Sequence, residues 1–134
     1  MKIRRVVPTI TTSAMDQSRE FYEGFLGMQA AMDMGWIVTF VSPDNPTAQL
    51  SLLRQDDAAA SCSMSAAPQI VSLSIEVADV DQLHEAAVAR GYPVVLPLKN
   101  EPWGVRRFHV QDPNGLVVNL MCHLPPAEAA VGNT

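Results

Sequence analysis

The 134-residue sequence predicts an α+β fold made of one module used twice. Three observations carry this. The order strand, helix, further strands occurs twice; each helix pattern runs into a glycine, Gly27 and then Gly91; and the strands of the second half alternate apolar with polar residues. Such alternation builds one sheet face for burial under a helix and leaves the other polar. With 48% hydrophobic and 17% charged residues, the chain has the apolar content of a globular protein, which excludes a disordered one.

Residues 6–12 alternate weakly and read as a strand. Ser13 or Asp16 can then cap a helix that carries Phe21, Tyr22, Phe25 and Leu26 at helical spacing, and Gly27 supplies its left-handed stop. Strands follow at 36–42 and 48–54, separated by the turn residues Pro43-Asp44-Asn45-Pro46. Residues 55–68 are Asp, Ala and Ser with little periodicity and read as a flexible connection. The order then restarts: a strand at 70–77, a helix at 80–90 closed by Gly91, and strands at 94–96, 105–111 and 116–122. Asp112-Pro113-Asn114-Gly115 makes a tight hairpin between the last two. The expected organisation is a single domain over residues 1–124, in modules 1–54 and 69–124, with a mobile tail at 125–134.

A net charge of -5 and a pI near 5.0 speak against nucleic acid as a partner, because phosphate backbones are bound by clustered Lys and Arg. The same charge favours cationic small molecules through steering. No apolar run approaches the roughly 20 residues that cross a bilayer, and the N-terminus lacks a signal-type apolar stretch, so no membrane association and a cytoplasmic location are expected. Cys62, in a loop, and Cys122, in a strand, have neither zinc-type nor redox-motif spacing and read as reduced thiols.

By parity Val71, Leu73, Ile75 and Val77 belong under the second helix, while Ser72, Ser74 and Glu76 point to the opposite, concave side. Arg107, His109, Val117, Asn119 and Met121 join that side if Phe108 and Val110 take core positions. In the first module Gln49, Ser51 and Leu53 face it, completed by Pro8 and Ile10. Trp36, with Met32, Met34 and Phe40 nearby, reads as a ligand wall, and Trp103 sits in a Pro-Trp-Gly turn where it either staples the loop or stacks on a flat ligand. His123 is expected at a strand end in solvent.

The stretch Met15-Asp16-Gln17-Ser18-Arg19-Glu20-Phe21-Tyr22, followed by Leu26-Gly27, resembles the first-helix signature of the vicinal oxygen chelate superfamily, and Val77-Ala78-Asp79-Val80-Asp81 resembles the entry to its second helix. Glu101-Pro102-Trp103-Gly104, Arg107-Phe108 and Asp112-Pro113-Asn114-Gly115 resemble the ending of bleomycin-resistance proteins. This resemblance implies two βαβββ modules forming a curved mixed sheet with a concave ligand cavity and helices on the convex face. It also implies a homodimer. In metal-dependent members, His and Glu on inner strands hold a divalent ion; the matching positions here are Pro8, Ser51 (or Gln49 with a shifted register), Ser72 and Asn119, none of them a competent ligand.

The expected function is therefore binding of an aromatic or cationic small molecule, with no cofactor and no metal, in a site that includes Trp36, Phe40, Gln49, Ser51, Ser72, Ser74, Glu76, Trp103, Arg107, His109, Asn119 and Met121. The alternative is a glyoxalase- or dioxygenase-like enzyme, with a non-standard metal site or with Glu76 or His109 as general base. A scaffold with a vestigial cavity is a third reading.

Overall fold

The computed structural model describes residues 4–55 and 72–126. All but the first residue of the expected connection at 55–68, most of the tail at 125–134, and with them Cys62 and Val71, lie outside the described residues. The chain divides into two compact units between Gln69 and Ile70.

In the first unit β1 (Thr9–Thr12) leads into α1 (Met15–Arg19), which continues as a π-helical stretch (Glu20–Phe25); β2 (Gln29–Asp33), β3 (Ile37–Ser42) and β4 (Asn45–Arg54) follow. The sheet order is β1-β4-β3-β2, with β1 parallel to β4 and the other pairs antiparallel. One face is apolar, because the register aligns Ile10 with Leu52 and Leu52 with Val38 across three strands. Phe21, Tyr22 and Phe25 of the helix are buried, and Tyr22 stacks on Phe40 at 6.5 Å between ring centroids. Burying an aromatic or branched side chain of this size contributes roughly 1.5–3 kcal/mol, so this row and the helix hold each other in place.

The second unit repeats the plan with β5 (Leu73–Glu76), α2 (Val80–Arg90), β6 (Val94–Asn100), β7 (Val105–Gln111) and β8 (Val117–His123), in the order β5-β8-β7-β6. Again the first strand runs parallel to the last. Leu120 pairs with Ile75 and with Phe108, Val118 pairs with Leu73 and with Val110, and α2 packs on this row through Val80 and Ala87. The His84 ring meets the Phe108 face edge-on at 5.1 Å. α2 is bounded as its sequence requires: the Asp79 carboxylate accepts the Gln82 N–H at 3.1 Å, and Gly91 takes the left-handed φ of 74° that ends the helix.

Four local expectations are corrected. Neither Ser13 nor Asp16 caps α1; the position before it is Ala14, and the Thr12 hydroxyl accepts the Ala14 N–H at 2.9 Å while sharing a buried hydrogen bond with Ser18. The helix closes with the i to i−5 bond from Leu26 N–H to the Phe21 carbonyl, in place of regular α-helical bonding. β2 was absent from the expectation because all five of its residues are exposed and carry no alternation; pairing with β3 creates it. β6 extends to Asn100, through Pro97 and two register shifts that broke the pattern.

Candidate functional site

The open face of the second sheet, opposite α2, holds most of the residues expected in a site. Ser72, Ser74 and Glu76 are exposed while Leu73, Ile75 and Val77 turn inward, the alternation predicted for this strand. Ser74 aligns with Asn119, Glu76 with Met121, and on the other side Asn119 with His109 and Met121 with Arg107. Register thus places Ser74, Asn119, His109, Arg107 and Met121 on one surface.

Their hydrogen bonds are specific. Asn119 Nδ2 donates to Ser74 Oγ at 3.2 Å. Arg107 Nη2 donates to Glu101 at 2.9 Å, and Lys99 Nζ lies 3.4 Å from the other oxygen of that buried carboxylate. Arg107 Nη1 sits 3.3 Å from His109 Nε2. A guanidinium can only donate, so His109 Nε2 accepts and the ring is neutral with its proton on Nδ1. Burial lowers the His109 pKa below its ordinary 6.5, the Arg107 charge lowers it further, and Glu101 opposes in part. Glu76 pairs with His123 at 3.2 Å, both well exposed.

The Pro-Trp-Gly segment forms the turn between β6 and β7. Gly104 N–H donates to the Glu101 carbonyl, Pro102 supplies the fixed φ of the first central position, and Gly104 takes a φ of 93° open chiefly to glycine. Trp103 is left 62% exposed, and the Arg107 guanidinium lies 5.1 Å from its ring centroid. The turn therefore carries the ring to the edge of the open face. Lys99 and Glu101 were missed by sequence reading; their signal was two opposite charges two residues apart, Lys99 on β6 opposite Arg107 and Glu101 just past its end.

The first unit keeps only part of its expected lining. Phe40 is wholly buried against Tyr22, so it is a core residue and no ligand wall. Ile10 pairs with Leu52 on the helix side, and Pro8, two residues before it, has the same parity. Trp36 lies in the bend that precedes β3, is partly exposed, and accepts the Arg54 N–H through its carbonyl. On the open side, Thr9 pairs with Ser51 and Ser51 with Thr39, and the two hydroxyls of Ser51 and Thr39 share a 2.7 Å hydrogen bond. Gln49 accepts from Arg5 at 2.7 Å and donates to the Pro46 carbonyl at 2.9 Å, so both ends of its amide are used.

Equivalent strand positions in the two units thus carry Thr9, Ser51 and Thr39 in one and Ser74, Asn119 and His109 in the other. At the positions that the family resemblance assigns to metal ligands stand Pro8, which has no donor side chain, Ser72, and the hydroxyl and amide groups of Ser51 (or Gln49) and Asn119, which are bonded to neighbours. Such donors offset the dehydration of a divalent transition metal poorly, so the residues present do not fit that ion. Among the described residues no three His, Cys, Asp or Glu side chains converge on a point. Nor is any described helix long and apolar enough to cross a membrane.

Two four-stranded mixed sheets of the same topology, each with a helix on one face and a polar row on the other, define a tandem βαβββ protein. The chain belongs to the Glyoxalase/Bleomycin resistance protein/Dioxygenase superfamily, whose profile matches residues 2–120. Solved structures share the fold. A superfamily member from Sphaerobacter thermophilus is 22% identical with a TM-score of 0.73, covering 91% of this chain and 98% of its own. One from Nocardioides is 20% identical with a TM-score of 0.70, covering 94% and 87%. A glyoxalase-related enzyme from Fulvimarina pelagi is 22% identical with a TM-score of 0.72, covering 90% and 89%. No curated protein matches the sequence.

Proposed function

We propose that this chain is a small-molecule binding protein of the bleomycin-resistance type, acting as a homodimer, which holds an aromatic ligand on the open face of the second sheet without metal chemistry. The observation that carries the reading is an exposed Trp103 at the edge of a row of partly exposed hydrogen-bonding groups, Arg107, His109, Asn119 and Ser74. An aromatic ring offers stacking area while the row fixes orientation, the combination that small-molecule sites use. The net charge of -5 favours a cationic ligand at long range, but Arg107 already lies against the Trp103 ring, which favours an uncharged aromatic at this face.

The enzymatic alternative has less support. The basic lone pair of His109 Nε2 faces Arg107, and the Glu76 carboxylate is paired with His123 in solvent, where it lacks the dry surroundings that tune a general base.

Calorimetry with a panel of neutral and cationic planar aromatics tests the reading. Neutral members are expected to bind in the micromolar range, and Trp103→Ala to weaken them about tenfold, the loss of one stacking contact. If no member binds more tightly than about a millimolar, or if Trp103→Ala leaves affinity unchanged, this function is wrong.

A further inference from the structure

Two polar atoms on the same open face are shielded from water and have no hydrogen-bond partner: Arg107 Nε, a donor, and Asn119 Oδ1, an acceptor. A buried polar atom left unpaired is costly, and native structures keep few of them. Both atoms belong to side chains whose other groups are committed. Arg107 spends Nη2 on Glu101 and Nη1 on His109, and Asn119 spends Nδ2 on Ser74. Neither side chain can turn to satisfy its orphan without giving up a bond it has.

The two orphans belong to side chains on adjacent strands of this face, β7 and β8. His109 lies directly opposite Asn119, and the Arg107 guanidinium reaches back to within 3.3 Å of the His109 ring. Both orphan-bearing side chains therefore neighbour His109, with Trp103 beside the guanidinium. Both residues retain partial solvent exposure and Trp103 is 62% exposed, so an incoming group meets these side chains at the surface.

We infer that this face recognises a flat carboxamide-type group, a primary amide, lactam or ureide, whose carbonyl accepts from Arg107 Nε–H and whose N–H donates to Asn119 Oδ1. This rests on the binding function proposed above and names its ligand class. An ester or ketone offers only the acceptor, an amine only the donor, and a carboxylate places a second acceptor against Asn119 Oδ1. Discrimination arises because the wrong partner leaves a buried group unpaired.

The test compares naphthamide, methyl naphthoate, naphthylamine and naphthoate, ligands of one ring system, by Trp fluorescence and calorimetry on the full chain. Naphthamide is expected to bind about tenfold more tightly than each of the others. Asn119→Leu, of similar volume, and Arg107→Lys, which keeps a cation beside Glu101, should each bring the affinities of naphthamide and methyl naphthoate together, removing most of that preference. Thermal melts of both variants establish that they fold, and the Arg107 Nε–H resonance of the wild type should shift with naphthamide and not with the ester.

Equal binding of amide and ester would mean that the orphans are irrelevant to ligand, overturning this inference and leaving the general binding function standing. Tighter binding of naphthoate would show two donors on this face, with the Asn119 amide turned, and would also overturn it. Failure of all four compounds to bind defeats both proposals.

Discussion

His109 shows how a single residue ties electrostatics to stability. Its pKa is lowered chiefly by burial and then by Arg107, so folding keeps the ring neutral at a pH where the unfolded chain begins to take up a proton. Below the ordinary 6.5, and down to the lowered folded value, the unfolded state binds more protons than the folded one, so stability falls as the pH falls through that window. Above it the contribution is fully present. Urea unfolding midpoints measured from about pH 7 to pH 5 should drop for the wild type, and His109→Gln should flatten the drop. Identical slopes in both proteins would assign the acid sensitivity to other groups.

Elements in this chain are held by a few end contacts, and the two helices differ in how they are begun. α2 has a side-chain cap of its own, Asp79 accepting from Gln82, whereas α1 has none, the Thr12 hydroxyl at the end of β1 only accepting the N–H of Ala14 just before the helix. Asp79→Ala removes the α2 cap and should cost about 1 kcal/mol, read as a fall of a few degrees in Tm. Asp79→Ser, which restores a capping oxygen, should recover most of it. If the alanine and serine variants melt together, the cap contributes nothing measurable. At this scale the second half was the more readable: Leu73, Ile75, Phe108 and Val110 alternate with polar partners, while in the first half β2 has no apolar pattern and follows only from its ladder with β3.

For the whole molecule, each unit builds a small open sheet that joins its first strand to its last in parallel, so β1 and β2 are the edges of one sheet and β5 and β6 those of the other. A homodimer is part of the function proposed above. Sedimentation equilibrium on untagged protein should then give twice the chain mass of 14.5 kDa, and a single-chain mass across the micromolar range would rule the dimer out.

The sequence by itself determined the repeat, the polar row of Ser74, Arg107, His109 and Asn119, and the turns at Trp103 and Asp112, because these depend on strand parity and on the short-range needs of Gly, Pro and Asp. It placed Phe40 on the wrong side, since aromatic residues suit a core and a ligand wall equally and only the register with Leu50 and the packing on Tyr22 separate the two. The pairing of Thr9, in place of Pro8, with Ser51 is likewise set by a one-residue choice of register that flips every side chain of a strand. The orphaned pair at Arg107 and Asn119 was decided only by tertiary structure. Which hydrogen bonds are left unmade depends on distances between strands that no local pattern encodes.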